Sequence, residues 1–490
     1  MTSFKGKENI ALLLSIIALL MLREFWLLLR NGIHVDESLS FMLSAYKDIG
    51  MYSIPSGDMT GSRLRELMWF SDSSLSGWLG DIIRLWHDNR DTPHSNLYYS
   101  LLRTWFFYGG GKSRYFTIFW AGQLNIILSS ISMLCIWRIA KGLTKSSTIA
   151  LVTMAIAFIS TGSISNTVFL RPYQLQETAF CTYFLMMYFY IVENKKSLIF
   201  MAAFGLVTAL TALTGYFSLI LLAMTSLVLI AVYINRFLSE GEYNLKIIGL
   251  YIAVTLFFLF LIYPPYLFVF GSRQSEAISK ANDALVNIKE SIKSLRMLGD
   301  YYFLPLLACL ASILVSLFLY IKNRSNKYLF ISSVLSCSLA WYLVVMFFAP
   351  YKVSRYILPI IPALSISYSC IISVAASGRK YIATTLSIMI FASSIYFYSN
   401  STVQYQYGNL PKECRYYDGE VAFLITSSYR INAIAQCLQD DRSYYFSKNL
   451  QEVLTKKAEV IFSDVKIENH AYEMTKEKEN YSYFYEYKIK

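Results

Sequence analysis

The sequence predicts an all-α polytopic membrane protein with a small extracytoplasmic α/β domain at its C-terminal end. Three observations predict it. Of the 490 residues, 55% are hydrophobic and only 16% charged, where a soluble protein carries roughly a quarter. The apolar residues gather in uncharged blocks of about 18 or more, long enough to cross a bilayer. The charges are also unevenly placed. Lys and Arg number 44 against 32 Asp and Glu, formally +12, yet residues 399–490 hold 12 basic and 13 acidic residues, so the first 398 carry +13. In a soluble chain that surplus would suggest nucleic acid. Here much of it lies in short loops between apolar blocks, so the positive-inside bias explains it and no nucleic-acid partner is expected.

In chain order, windows of about 20 residues place spans near 10–30, 115–137, 147–168, 175–192, 197–214, 217–235, 247–268, 300–321, 328–349, 358–376 and 381–398. These make about eleven helices. Within the first, the leading apolar stretch is followed by Arg23, Glu24 and FWLLL instead of a small-residue cleavage site, and the span reads as a retained anchor. Short-loop cations alternate with the spans: Lys5 and Lys7; Arg138, Lys141 and Lys145; Lys195 and Lys196; Arg236 and Lys246; Lys322, Arg324 and Lys327; Arg379 and Lys380. All fall on one side, so the N-terminus is expected in the cytoplasm and, with an odd helix count, the C-terminus outside. The plasma (inner) membrane is the expected location.

The outer face then receives the long segments, residues 31–114, 269–299 and the tail from 399. The first loop contains SGWLGDIIRLW (76–86), which puts Trp78, Leu79, Ile82, Ile83 and Trp86 on one helical face suited to the membrane interface. In the tail, GEVAFLIT (419–426) reads as a strand, RINAIAQCLQ and NLQEVLTKKAEV as helices, and YSYFYEYKIK as a strand. Two domains are expected: residues 1–398 as the membrane module with its first outer loop, and 399–490 as the small α/β domain. Five of the seven Cys lie inside apolar blocks as small core residues. The other two, Cys414 and Cys437, share the outer tail and are expected to form a disulfide there.

Four short patterns could carry chemistry, all at the outer face. His34-Val35-Asp36-Glu37 follows the first span and puts two carboxylates at the mouth of the bundle, although acidic residues also suit any helix start. Asp91-Thr92-Pro93-His94-Ser95-Asn96-Leu97-Tyr98-Tyr99 closes the first outer loop. Arg171-Pro172-Tyr173-Gln174-Leu175, with Glu177 following, makes a tight outer turn, where the cation could equally snorkel to headgroups. Lys352-Val353-Ser354-Arg355-Tyr356, with Pro359 and Pro362, puts two more cations outside, against the inside bias.

In this order and placement, D-E after the first helix, H-x-x-L-Y-Y at the end of the first outer loop, R-x-Y-x-L between the third and fourth helices and S-R-Y-x-x-P late in the chain resemble the GT-C membrane glycosyltransferases. The similarity runs over roughly residues 10–380 and is closest to the protein O-mannosyltransferase and lipid A aminoarabinose transferase groups. The chain departs from that family at Ser95 and Asn96, where two prolines are common, and in an insertion-like stretch around residues 52–75. The resemblance implies a GT-C fold and inverting transfer of a sugar from a polyprenyl phosphate on the extracytoplasmic face, as in cell-envelope assembly. The acceptor would be a hydroxyl of a glycan, a lipid or a protein.

That chemistry suits the residues present. A phosphate leaves as an anion, so one carboxylate base and nearby cations suffice, without the general acid that a glycosidase supplies to its leaving group. Asp36 is the candidate base, and Glu37 orients it or binds acceptor. Arg171 and Arg355 are candidates for a phosphate clamp, because the guanidinium fork binds phosphate bidentately. Lys352 is a further, weaker candidate. His94 could bind donor phosphate or acceptor hydroxyl, and Tyr98 and Tyr173 offer hydroxyls and flat faces to a sugar, although aromatic residues also anchor at interfaces in a chain with 39 Tyr. No metal-ligand spacing is evident, so no cofactor is required, and a divalent metal stays open without support from the sequence. The main alternative is a transporter or flippase for lipid-linked sugars. Transporters keep ionisable residues near the midplane, whereas here only Arg23 and Glu24, in the first span, stand out. A third reading is a scaffold with no activity, whose tail binds a partner.

Overall fold

A segment in hydrocarbon must satisfy its backbone N–H and C=O groups internally, and each of the eleven apolar windows contains a helix. The computed structural model describes residues 2–45, 55–69, 72–88, 94–107, 116–240, 245–264, 292, 299, 306–349, 351–376, 378–406, 412–468, 471–476 and 483–490. Asp91, Thr92 and Pro93 lie outside these residues, as does the expected outer loop 269–299 apart from residues 292 and 299.

The membrane part comprises α1 (Thr2–Leu28), α6 (Phe116–Thr144), α7 (Ser147–Ile159), α8 (Thr161–Val168), α9 (Tyr173–Ile191), α10 (Leu198–Ala212), α11 (Tyr216–Glu240), α12 (Leu245–Ile262), α13 (Leu306–Asn323), α14 (Asn326–Phe348), α15 (Ile361–Leu364), α16 (Ile366–Ala376) and α17 (Lys380–Ser399). Between α1 and α6 the first loop forms α2 (Val35–Ala45), β1 (Gly57–Thr60), α3 (Gly61–Trp69), α4 (Leu75–Asp88) and α5 (Leu97–Trp105). The chain is an integral membrane protein. Among the described residues, seven helices are long and apolar enough to cross a bilayer, or eight if the bent pair α7–α8 is one span. The remaining expected spans are shorter, as in α10 and α13, or carry buried polar groups, as α9 does at Gln174, Gln176 and Glu177. The pair α7–α8 bends by 59°. Ser160 sets the bend, since its extended backbone interrupts the helix and its Oγ caps the next one through Ser163 N.

Four of the short-loop cations gather at one end of the bundle. Lys141 pairs with Glu8 at 3.1 Å, Arg138 with Glu193 at 2.6 Å and Lys195 with the same carboxylate at 3.5 Å. Arg236 donates to the Tyr190 and Ile191 carbonyls that end α9, both at 3.1 Å. The first loop and the tail meet the other end, where Ser95 Oγ donates to Leu213 O at 2.6 Å and Ser165 Oγ accepts from Gln404 N at 2.8 Å. Thus the grouping of loops expected from charge is present as geometry.

The tail adds β2 (Val421–Leu424), α18 (Ser428–Ala435), β3 (Ser443–Ser447), α19 (Leu450–Thr455), β4 (Val460–Ser463), β5 (Tyr472–Lys476) and β6 (Tyr485–Ile489). The strand order is β1-β3-β2-β4-β6-β5. β2 lies parallel between β3 and β4 with helical crossovers, whereas β1 joins from the first loop, antiparallel to β3. Phe423 stacks between Phe446 and Phe462, with ring centroids 5.2 and 5.4 Å away, in a core shared with the first loop. The helix expected over NLQEVLTKKAEV stops at Thr455. Lys457 then takes a positive φ of 53° and the chain turns into β4. Cys414 and Cys437 are disulfide-bonded, with Cα atoms 5.3 Å apart. In α4 the apolar side chains Leu75, Leu79 and Ile83 are exposed in an i, i+4, i+8 stripe, and Asp81 on the other face pairs with buried Arg103 at 2.7 Å.

Candidate functional site

After α1 the chain runs through residues 29–34 and enters α2 at Val35, so Asp36 and Glu37 occupy a first helical turn, where carboxylates are favoured. Adjacent in sequence, they face opposite ways. Glu37 is completely buried. Its Oε2 accepts from Arg30 Nη2 at 2.7 Å and His34 N at 2.5 Å, and its Oε1 accepts from Leu170 N at 2.7 Å. This one carboxylate ties the end of α1, the start of α2 and the turn after α8 together. The expectation that Glu37 binds acceptor is therefore corrected: both oxygens are engaged and no surface is left for a ligand.

Asp36 points outward, its side chain 35% exposed, with Oδ2 3.0 Å from Arg355 Nη2 and 3.6 Å from His34 Nδ1. Arg355 is presented by the short 3-10 turn Ser354–Tyr356 that follows α14, and its side chain is 17% exposed. His34 Nδ1 accepts from Asp36 N at 3.1 Å, which leaves the ring proton of the neutral form on Nε2. Burial pushes the His34 imidazole below its ordinary value of 6.5, against the pull of Asp36 and Glu37, so it is neutral at pH 7.

Arg171, in the turn after α8, is buried, and its Nη1 donates to Tyr99 Oη at 3.1 Å and Ser40 Oγ at 3.4 Å. It acts electrostatically on the same groups as Arg355, namely His34, Tyr173 and Tyr356. Buried Tyr173 lies parallel to Phe169 at 5.9 Å and tilted against Tyr356 at 6.1 Å. His94 Nδ1 donates to Thr214 O at 3.0 Å, and its ring meets the Tyr173 ring edge-on at 5.5 Å. His94 thus belongs to the aromatic wall of the site and pins the first loop to the α10–α11 turn.

Two candidates have their polar groups engaged in packing. Tyr98 is buried, and its hydroxyl donates to Asn125 Oδ1 at 3.2 Å, so it belongs to the packing of α5 on α6. Lys352 Nζ donates to Phe347 O at 2.7 Å and Ala349 O at 3.2 Å, capping the end of α14. A cation there suits unpaired helix-terminal carbonyls.

The tail supplies residues that sequence reasoning missed. Tyr405, at a positive φ of 64°, stacks on Phe169 with centroids 3.9 Å apart and meets the His34 ring edge-on at 6.0 Å. Tyr483 Oη accepts from Val35 N at 2.7 Å. Asn432 Nδ2 donates to Ser38 O at 3.1 Å from α18. Two tail tyrosines therefore flank the start of α2. In a chain so rich in Tyr, nothing local marks these two, because sequence gives no register between tail and mouth.

The result is an open carboxylate paired with a partly open guanidinium, backed by a neutral imidazole and a second, buried guanidinium, and walled by Phe169, Tyr173, Tyr356 and Tyr405. Such a site can accept a proton at Asp36 and bind an anion at Arg355. Among the described residues, no group of three or more His, Cys, Asp and Glu side chains gathers as a metal site would.

No family model matches the sequence, and no curated protein does. Solved structures do. The chain is similar to ArnT from Cupriavidus metallidurans bound to undecaprenyl phosphate, at 13% sequence identity and a TM-score of 0.47, covering 78% of this chain and 62% of that one. It thus spans less than two thirds of that ArnT chain. Against ArnT from the same organism in the apo state the values are 12% and 0.48, covering 90% and 87%. Archaeal oligosaccharyltransferase AglB from Archaeoglobus fulgidus, in complex with an inhibitory peptide and a dolichol-phosphate, matches at 12% and 0.43, covering 92% and 69%.

Proposed function

We propose that this chain is a membrane glycosyltransferase that takes a sugar from a polyprenyl-phosphate donor and transfers it, with inversion, to a hydroxyl acceptor at the extracytoplasmic face. The observation that carries the reading is the Asp36–Arg355 pair. It puts a candidate base and a candidate phosphate ligand 3.0 Å apart at the open end of the bundle, among aromatic side chains. Asp36 takes the proton from the acceptor hydroxyl as its oxygen attacks the anomeric carbon. The bond from that carbon to the phosphate oxygen breaks, and the electron pair leaves with the phosphate. Arg355 serves the developing charge directly. Buried Arg171 adds to the local potential through its fixed place behind Tyr99 and Ser40.

The pairing also suggests an order of events. With no donor, Arg355 neutralises Asp36. A donor phosphate competes for the guanidinium, and its arrival releases the carboxylate next to the bond that must break. Glu37, His34 and Tyr483 hold the start of α2 so that the exchange happens at fixed geometry. The acceptor belongs to the cell envelope or its surface: a lipid, a glycan or a protein hydroxyl.

The transporter reading rests on Arg23 and Glu24, but Glu24 Oε2 accepts from Gln123 Nε2 at 3.0 Å, and Arg23 is fully buried, sharing Ser163 with the equally buried Glu177. Arg23 donates to Ser129, Thr167, Ser163 and the Leu19 and Phe158 carbonyls, and Glu177 accepts from Gln174, Asn166 and Ser163. This arrangement braces the α7–α8 bend, a structural use that favours the transferase. The test supplies purified protein with a panel of polyprenyl-phosphate sugars and membranes lacking the protein as acceptor source, and measures released polyprenyl phosphate. Release that depends on one sugar donor and on the acceptor membranes is expected. Lipid-linked sugar crossing vesicle membranes with no release would overturn the reading.

A further inference from the structure

At the opposite end of the bundle from Asp36, the helices α10, α11 and α12 leave a groove of about 270 Å³, lined mainly by Phe204, Leu229, Ile230, Ile248 and Ile252. Only Leu259 of α12 is buried, so this helix stands at the periphery and the groove opens toward lipid. The polar end of the groove is unsatisfied. Tyr233, which lines it, has a buried hydroxyl with no hydrogen-bond partner. One turn on, on the same face of α11, Arg236 is 6% exposed. Its Nη2 donates to the Tyr190 and Ile191 carbonyls, while its Nη1 has no partner. The Arg236 guanidinium also lies over the ring of Tyr190, another groove residue, at 5.0 Å.

A buried donor without an acceptor costs free energy, so two of them one helical turn apart on α11, one lining the apolar groove, call for an explanation. The apolar part offers a surface for a hydrocarbon chain, and the two donors offer hydrogen bonds to an anion. Nearby, Arg138 and Lys195 outnumber their shared partner Glu193, so the local potential is positive. We propose that this groove binds one anionic glycerophospholipid, an acyl chain lying between α11 and α12 and the phosphodiester accepting from Arg236 Nη1 and Tyr233 Oη.

The site is remote from Asp36 and independent of the transfer reaction. Its test uses delipidated full-length protein in detergent, titrated with dioleoyl phosphatidylglycerol, with dioleoyl phosphatidylcholine and with inorganic phosphate. Bound lipid is read by native mass spectrometry, and the unfolding midpoint is measured in parallel. Phosphatidylglycerol should bind and raise the midpoint, phosphatidylcholine should bind more weakly, and inorganic phosphate should do neither. Tyr233→Phe, which removes a hydroxyl that bonds nothing in the free protein, should fold normally and weaken phosphatidylglycerol binding on the order of tenfold. Arg236→Gln should weaken it further, and Ile252→Trp should block the groove. Equal binding of both lipids, a midpoint shift from inorganic phosphate alone, or unchanged phosphatidylglycerol binding by Tyr233→Phe would each overturn the proposal.

Discussion

Asp36 and Glu37 look alike in sequence, yet only Asp36 is available for chemistry. Glu37→Gln leaves Arg30 buried beside an uncharged partner. Breaking a buried ion pair costs about 3 to 5 kcal/mol, so this variant should give low yield and a depressed unfolding midpoint in detergent before any effect on turnover is read. Arg355→Ala should raise the donor KM and lower turnover by roughly 10²-fold, the usual cost of losing one preorganised donor, with the midpoint nearly unchanged. Lys352→Met, three residues away, should retain turnover, because its ammonium caps α14. His34 gives a pH signature. Its imidazole binds a proton less readily in the folded chain than at the ordinary 6.5, so the unfolded state takes up more protons and stability is lost as pH falls from about 6.5 toward the depressed folded value. His34→Gln should reduce that loss in midpoints measured between about pH 7.5 and 5; an identical pH dependence in the variant would contradict the burial assigned to the imidazole. At this scale order and placement in the sequence single out Asp36, Arg171 and Arg355 as candidates, and the structure brings Asp36 and Arg355 within 3.0 Å of each other. Sequence names Asp36 the candidate base but does not show that Glu37 is shut off from a ligand, since that depends on Arg30 after α1 and on the Leu170 N–H in the turn after α8.

Among the elements, the membrane helices were the most legible, because period and length alone specify them. The bend at Ser160 was not, since Ser160 and Thr161 inside an apolar block read as part of a continuous span. The tail was half legible. Strands β2 and β6 and helix α18 follow from their local patterns, whereas β1 is only four residues long and owes its conformation to pairing with β3, almost 400 positions later in the chain. The disulfide could be anticipated, because compartment and elimination left only Cys414 and Cys437. It closes a 23-residue separation, worth about 3 kcal/mol in the chain-entropy picture. Denatured protein should therefore gain two titratable thiols on reduction, and Cys437→Ser should lower the midpoint of the tail's unfolding. An unchanged thiol count would reject the bond in the isolated protein.

For the whole molecule, charge predicts which loops share an end, and the ion pairs Lys141–Glu8 and Arg138–Glu193 gather as that prediction requires. Cysteines placed one at a time near Lys141, Lys195 and Lys327 should label only from the cytoplasm, and a cysteine near residue 450 only from outside. Labelling of residue 450 from the cytoplasm would invert the site and remove the functional assignment. What sequence could not supply is the placement of Tyr405 and Tyr483 beside the start of α2, which depends on how the tail docks on the first loop. The central claim, that Asp36 is the base of a sugar transfer driven by a phosphate leaving group, is tested most directly by single-turnover transfer from the accepted polyprenyl-phosphate sugar in wild type and Asp36→Asn. The amide preserves size and the helix start, but it cannot take a proton near neutral pH. The account predicts a normal midpoint with a rate reduced by about 10² to 10⁴; a well-folded Asp36→Asn protein transferring sugar at the wild-type rate would contradict it.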